Sequence, residues 1–231
     1  MTNILVVAAH QDDDILGCGA TLAKEIENGN KVRIIYIAEG TSARYNLPHL
    51  TNEQKRLMDI DLQKRKSYTL ASLKILGCKS YEFYNLPCGR IDCEPIIEVG
   101  KIIENEIKFY DPDIIFTHSD TDVNNDHRLI HQAVLQATRP GANNKVKKIL
   151  CFEILSSTEW RFNKSFSPNV FIGIEEKYLK IKIASLMEYK SEVKKYPYPR
   201  SERGIITLAQ YRGMQCANEY AEAFELLREI V

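Results

Sequence analysis

Residues 10 to 14 read His-Gln-Asp-Asp-Asp, with His10 and Asp13 three positions apart. An imidazole and a carboxylate at that spacing converge on one cation when the backbone turns sharply between them. Three adjacent carboxylates also repel: two unit charges about 4 Å apart cost ~1 kcal/mol in water and ~4 kcal/mol at an effective dielectric near 20. A bound divalent cation would relieve that repulsion. A second stretch of the same character, THSDTDVNNDHR, supplies His118, Asp120, Asp122, Asp126 and His127. Two His and one Asp without thiolate favour zinc, and iron, cobalt or manganese suit the same donors. Such a set leaves a coordination position for water, as hydrolytic sites require. A spare carboxylate beside it serves as general base, and Asp12 has the position for that role.

Blander roles exist for each residue. An Asp in the first turn of a helix gains up to ~1 kcal/mol from the macrodipole, but one cap needs one Asp. GCGATL imitates the start of a dinucleotide-binding turn, yet Leu22 stands where its last glycine belongs and the preceding acids repel a pyrophosphate. Asp12 and Asp14 form the DxD of a magnesium-dependent phosphatase, a reading that leaves His10 and the second His/Asp loop without a task.

Both acidic stretches follow apolar runs with strand character. NILVVAA precedes His10, and DPDIIFTHS carries His118. Further strands are expected at KVRIIYIAEG, SYEFYNLP and KKILCFEIL. Helices are expected after residue 14, from near Thr51 to Gly77, over residues 95 to 109, and over DHRLIHQAVLQATR. Alternating strands and helices predict a three-layer, Rossmann-like α/β fold with a mainly parallel sheet flanked by helices, and ligands gather at the carboxyl ends of such strands. In the last third, NVFIGI reads as a short edge strand, EEKYLKIKIASLMEYKSEV as an amphipathic helix, and residues 205 to 229 as mostly helical. This tail is expected to form a helical cap on one domain spanning residues 1 to 231.

Lys plus Arg total 31 and Asp plus Glu total 31, so no global field draws the chain to nucleic acid or an anionic membrane. Hydrophobic residues make up 44% and charged residues 27%, which argues against wholesale disorder. No apolar run approaches the ~18 residues of a membrane span, and the Ile4–Ala9 run lacks the basic flank of a secretory signal. The six cysteines are scattered without a CxxC pair, as in a reducing compartment, so a cytoplasmic protein is expected. The oligomeric state is left open, a homo-oligomer included.

The chain resembles the PIG-L/LmbE superfamily of zinc-dependent de-N-acetylases. Their AHPDDE signature stands here as AHQDDD. RKSYTLASLKILG resembles the helix carrying a substrate-binding Arg, DIIFTHSDTDVNNDHR the second metal loop, and RGMQCANEYAEAF the C-terminal signature. The resemblance implies zinc on His10, Asp13 and His127, Asp12 as catalytic base, Arg65 against substrate or acetate, and Asp126 as an acid behind a ligand histidine. It implies hydrolysis of an N-acetylated amino sugar, an N-acetylglucosamine derivative above all, to acetate and free amine. Three positions depart from the pattern: Gln11 replaces Pro, Asp14 replaces Glu, and Asn124 stands where many members carry a His that polarises the scissile carbonyl. An amide can donate a hydrogen bond there but cannot transfer a proton, which leaves Asn124 and His118 as candidate polarisers. Arg44, Tyr198 and Arg200 lie on loops where they are expected to touch substrate, Arg44 through a phosphate or carboxylate. Trp160 and Arg161 offer a sugar-stacking platform. The competing readings are a metal- and sugar-binding module without turnover, motivated by Asn124, and the DxD phosphatase.

Overall fold

The computed structural model describes residues 1–141 and 144–231. Seven strands form one sheet: β1 (Asn3–Ala8), β2 (Lys31–Ala38), β3 (Ser80–Leu86), β4 (Ile114–His118), β5 (Lys148–Phe152), β6 (Val170–Ile174) and β7 (Tyr220–Glu229), in the order β3-β2-β1-β4-β5-β7-β6. The first five run parallel, and β7 is antiparallel to both β5 and β6. Six helices flank them: α1 (Asp13–Glu27), α2 (Asn52–Leu76), α3 (Ile96–Tyr110), α4 (Asn125–Ala137), α5 (Glu176–Met187) and α6 (Glu202–Met214).

β1 is unbroken in its hydrophobicity because both of its faces are covered. Ile4, Val6 and Ala8 join the core under α1, α2, α5 and α6, while Leu5, Val7 and Ala9 join the core under α3 and α4. β1 is also the switch point of the sheet: β2 and β3 build outward on one side, β4 and β5 on the other. The crevice beyond the carboxyl ends of β1 and β4 is where such sheets hold ligands, and both acidic stretches begin there.

The α/β class, the first five strands, the edge position of NVFIGI and the capped helix from Thr51 to Gly77 agree with the sequence reading. Thr51 and Gln54 form a reciprocal capping box, and Gly77 ends α2 in the left-handed conformation. The tail differs. Residues 205 to 229, read as mostly helical, divide into α6 and the strand β7. Ala, Glu and Leu in YAEAFELLRE favour helix in isolation, but a gap between β5 and β6 that offers hydrogen bonds on both edges overrides that preference.

α1 is interrupted. Cys18 has φ −146° and ψ 17°, so the helix is two segments end to end. A buried ion pair bridges the break. Lys182 of α5 donates to the Leu16 carbonyl (2.8 Å) and to Glu222 of β7 (2.5 Å), and Glu222 accepts from the Ala20 and Thr21 N–H groups (3.2 and 2.7 Å). The cation thus serves the carboxyl end of the first segment and the anion the amino end of the second. The first segment also lies hard against β5: a Cβ on Gly17 would stand 2.4 Å from the Phe152 ring. No helix among the described residues is long and apolar enough to cross a membrane.

Candidate metal centre and active site

β1 ends at Ala8 and the chain turns within four residues into α1, with Asp12 forced to φ 128°. That conformation is strained for any residue but glycine. The turn is closed by Asp13, whose Oδ2 accepts from the His10 N–H at 2.8 Å. It sets His10 Nδ1 and Asp13 Oδ2 3.3 Å apart. α4 brings His127 from the other side of the switch point, its Nε2 3.2 Å from His10 Nδ1 and 3.4 Å from Asp13 Oδ2. Three donor atoms therefore form a nearly equilateral triangle. Ligands ~2.0–2.1 Å from a tetrahedral ion are separated by about 3.3–3.4 Å, so these residues fit zinc or a similar divalent ion as they stand. Asp13 Oδ1 is buried without a hydrogen-bond partner among the described residues, as an oxygen reserved for a cation would be.

Each histidine is fixed from behind, which sets its tautomer and orientation. His10 Nε2 meets Asp126 Oδ2 at 3.0 Å, and Asp126 is itself held by the Gly89 and Ile91 N–H groups (2.6 and 3.3 Å). His127 Nδ1 stands 3.0 Å from Asp122 Oδ2. Asp122 accepts from the Asn124 N–H and from the hydroxyls of Ser157 and Thr158. Burial opposes charge on His127, but Asp13 and Asp122 push it up to about 9. Burial likewise opposes charge on His10, whose bonds to Asp126 and Asp13 raise it above the ordinary range. Asp13, despite burial, is held well below the carboxylate range by His127 and His118.

Asp12 projects into the same pocket between two guanidinium groups. Arg65 NH2 is 2.9 Å from its Oδ1, and Arg200 NH1 is 2.9 Å from its Oδ2. Burial pushes the Asp12 carboxyl upward, and the two arginines only partly offset it. Arg65 comes from α2 and also donates to the Gln11 carbonyl. Arg200 is braced by Ser156 Oγ and the Leu155 carbonyl (2.6 and 3.2 Å). Glu192 ties the arginines together, 2.9 Å from Arg65 NH1 and 2.5 Å from Arg44 NH2. These side chains, with Asn124, Cys88 and the Gly40–Thr41 backbone, enclose a pocket of about 140 Å³ over the triangle. Buried Glu39 shapes that wall by accepting from the N–H groups of Thr41, Ser42 and Cys88.

The pocket thus gathers His10, Asp12, Asp13, Arg44, Arg65, Asn124 and Arg200, with His127 and Asp126 directly behind. Asn124 is the N-cap of α4. Its Oδ1 accepts from the Asp126 N–H at 2.9 Å, which leaves the amide NH2 as its free donor. His118 does not reach the pocket. Its Nε2 accepts from the Ala9 N–H (2.9 Å), and its ring stacks beneath His127 with centroids 4.0 Å apart. With Nε2 accepting, the ring proton sits on Nδ1, which is buried without a partner among the described residues and has no part in the pocket wall, so of the two candidate polarisers only Asn124 lines the cavity. Arg200, expected against substrate, is occupied as a clamp on Asp12. Tyr198 lies outside the pocket walls, beneath the Lys194 ammonium. Arg161 donates to the carbonyls of Asp120 and Asp122 and braces the second loop, with no part in the pocket wall. Trp160 is likewise absent from that wall.

Asp14 turns away from the pocket, with Oδ2 accepting from the buried Tyr36 hydroxyl at 3.0 Å. Burial and the two neighbouring aspartates push it up to about 7, against the Tyr36 bond. The DxD pair therefore does not face one cavity, and the phosphatase reading loses its geometry. Glu39 and Glu192 had no role in the sequence reading, and Asp122 figured there only among the donors of the second loop. Glu192 falls near the end of the segment read as an amphipathic helix, beyond the observed end of α5 at Met187.

The profile of the GlcNAc-PI de-N-acetylase family, PIG-L, matches residues 5–138, a span running from within β1 through α4 and including both acidic loops. The chain is 30% identical over 193 residues to the uncharacterized deacetylase YaiS of Escherichia coli K12, covering 81% of this chain and 90% of YaiS. Among solved structures, N,N'-diacetylchitobiose deacetylase from Pyrococcus horikoshii is similar with a TM-score of 0.76 at 18% identity, over 98% of this chain and 84% of that one. GalB, the 4-carboxy-2-hydroxymuconate hydratase of Pseudomonas putida KT2440, is similar with a TM-score of 0.72 at 20% identity, over 100% and 98%. At those identities the structural likeness speaks for the fold, which carries more than one chemistry. Family membership rests on the profile and on YaiS, and by both the chain belongs to the PIG-L deacetylases.

Proposed function

We propose that the protein is a metal-dependent N-deacetylase that removes the N-acetyl group of an amino sugar, giving acetate and the free amine. The observation that carries this reading is the triangle of His10 Nδ1, Asp13 Oδ2 and His127 Nε2, 3.2–3.4 Å on each edge, with the Asp12 carboxylate in the same pocket. These three residues would hold zinc or another divalent ion, which when bound supplies a Lewis acid for the amide carbonyl and brings the pKa of water near neutrality.

Asp12 accepts the proton of the attacking water and returns it to the departing nitrogen, because an amide anion is too basic to leave unprotonated. Overall, hydroxyl goes to the acyl carbon and hydrogen to the nitrogen as the C–N bond breaks. Arg65 and Arg200 each engage one oxygen of Asp12, and a second lone pair on each oxygen remains for the proton. Asn124 offers its NH2 to the carbonyl oxygen as negative charge develops, a contribution of ~10²–10³ in rate for one such donor. Asp126 and Asp122 hold the two histidine rings and Asp126 also aligns the loop after β3. A cytoplasmic location belongs to the same reading.

Acetate and amine release from a panel of N-acetylated amino sugars, followed by mass spectrometry, tests it. Release is expected from at least one sugar, lost with a chelator and restored by a divalent ion. Metal binding without release from any sugar would favour the binding module that Asn124 motivates.

A further inference from the structure

Ligand pockets usually measure ~300–1,000 Å³, and the space over the triangle, at about 140 Å³, is smaller than a sugar conjugate requires. It does not end there. Thr41, Arg44 and Arg65 are walls of that pocket and also of a groove of about 300 Å³ beside it. Asp61, Lys64, Tyr68, Lys190 and Ser191 complete the groove.

Four cationic side chains, Arg44, Lys64, Arg65 and Lys190, face one carboxylate there. That carboxylate is engaged: Asp61 accepts from the Tyr45 hydroxyl at 2.7 Å and lies 3.6 Å from Lys64. Asp12 and Glu192 together answer Arg65, and Glu192 also answers one edge of Arg44, so the unanswered charge lies on Arg44 and Lys190. Arg44 is half-exposed, and its Nε and NH1 have no protein acceptor among the described residues. The Lys190 ammonium likewise has no acid within ion-pair distance among the described residues, and its side chain is exposed. In a chain with zero net charge, this is a local excess of positive charge rather than an overall bias. A guanidinium edge flanked by two ammonium groups binds phosphate or carboxylate through charge-assisted hydrogen bonds. A neutral glycan would leave that charge unanswered.

We propose that this groove is a subsite for an anionic substituent, phosphate or carboxylate, on the amino sugar whose N-acetyl group enters the metal pocket. The proposal rests on the deacetylase reading for its substrate, but the subsite can be measured without turnover.

N-acetylglucosamine, its 1- and 6-phosphates and N-acetylmuramate serve as probes, the last presenting a carboxylate in place of phosphate. Acetate release is measured with the metal-loaded protein at low and high salt, and binding of the same sugars to the chelator-treated protein is measured by calorimetry. An anionic sugar is expected to exceed N-acetylglucosamine by roughly tenfold in kcat/KM or affinity, with the advantage shrinking at high salt. Changing both lysines, Lys64→Gln with Lys190→Gln, should remove most of that advantage and leave the neutral sugar unaffected. Equal treatment of neutral and anionic sugars in both measurements overturns the subsite, as does an advantage indifferent to the lysine changes. Anion binding that survives while no sugar releases acetate supports the subsite and overturns the deacetylase reading instead.

Discussion

His127 presents Nε2 to His10 and Asp13 in the donor triangle and Nδ1 to Asp122, and Asp122 is held in turn by Ser157, Thr158 and the Asn124 backbone. An Asn at position 122 would preserve shape but remove the charge that keeps the proton on Nδ1 and the lone pair on Nε2. Asp122→Asn is therefore expected to weaken metal affinity by ~10–100-fold, read by competition with a chromophoric chelator. Unchanged affinity would mean that His127 is oriented by packing alone, through the stack on His118. The donors themselves were legible because spacing carries them: an HxxD turn after a strand and a second His/Asp loop after another. Asp122 and Glu192 acquire their roles from loops distant in sequence, and neither spacing nor periodicity records such partners. The three consecutive aspartates separate by direction, with Asp12 and Asp13 turned to the pocket and Asp14 to Tyr36.

α1 carries Asp13 in its first turn, and its break at Cys18 is spanned by Lys182 and Glu222. Removing one member of a buried pair strands the other charge and costs ~3–5 kcal/mol. Lys182→Met should lower stability by about that amount in urea denaturation, because Glu222 would keep two N–H donors but no cation. A loss within a few tenths of a kcal/mol would show that the two amides alone satisfy the carboxylate. The sequence disclosed α1 and its glycines but not this bridge. Glu222 falls in the stretch read as helix, and only its placement in β7 turns it toward α1. The same stretch shows why the tail was misread: local propensity favours helix, while the open edges of β5 and β6 decide for strand.

At the scale of the whole molecule, sheet topology does the assembling. The chain reverses its direction of growth at β1, so the loops after β1 and β4 meet over one point although more than a hundred residues separate His10 from His127. α2 and the loop before α6 then bring Arg65 and Arg200 to Asp12 from opposite sides. This architecture followed from the alternation of strands and helices in the sequence. The size of the pocket and its continuation into a basic groove did not, because they depend on how the loops lie. In the proposed mechanism His10, Asp13 and His127 bind metal while Asp12 moves the proton. Metal content and acetate release, measured side by side for the wild type and Asp12→Asn, test it most directly. Equal metal content in both proteins and a ~10²–10⁴-fold loss of acetate release in the variant are expected; turnover within a few-fold of wild type would show that Asp12 is not the proton carrier.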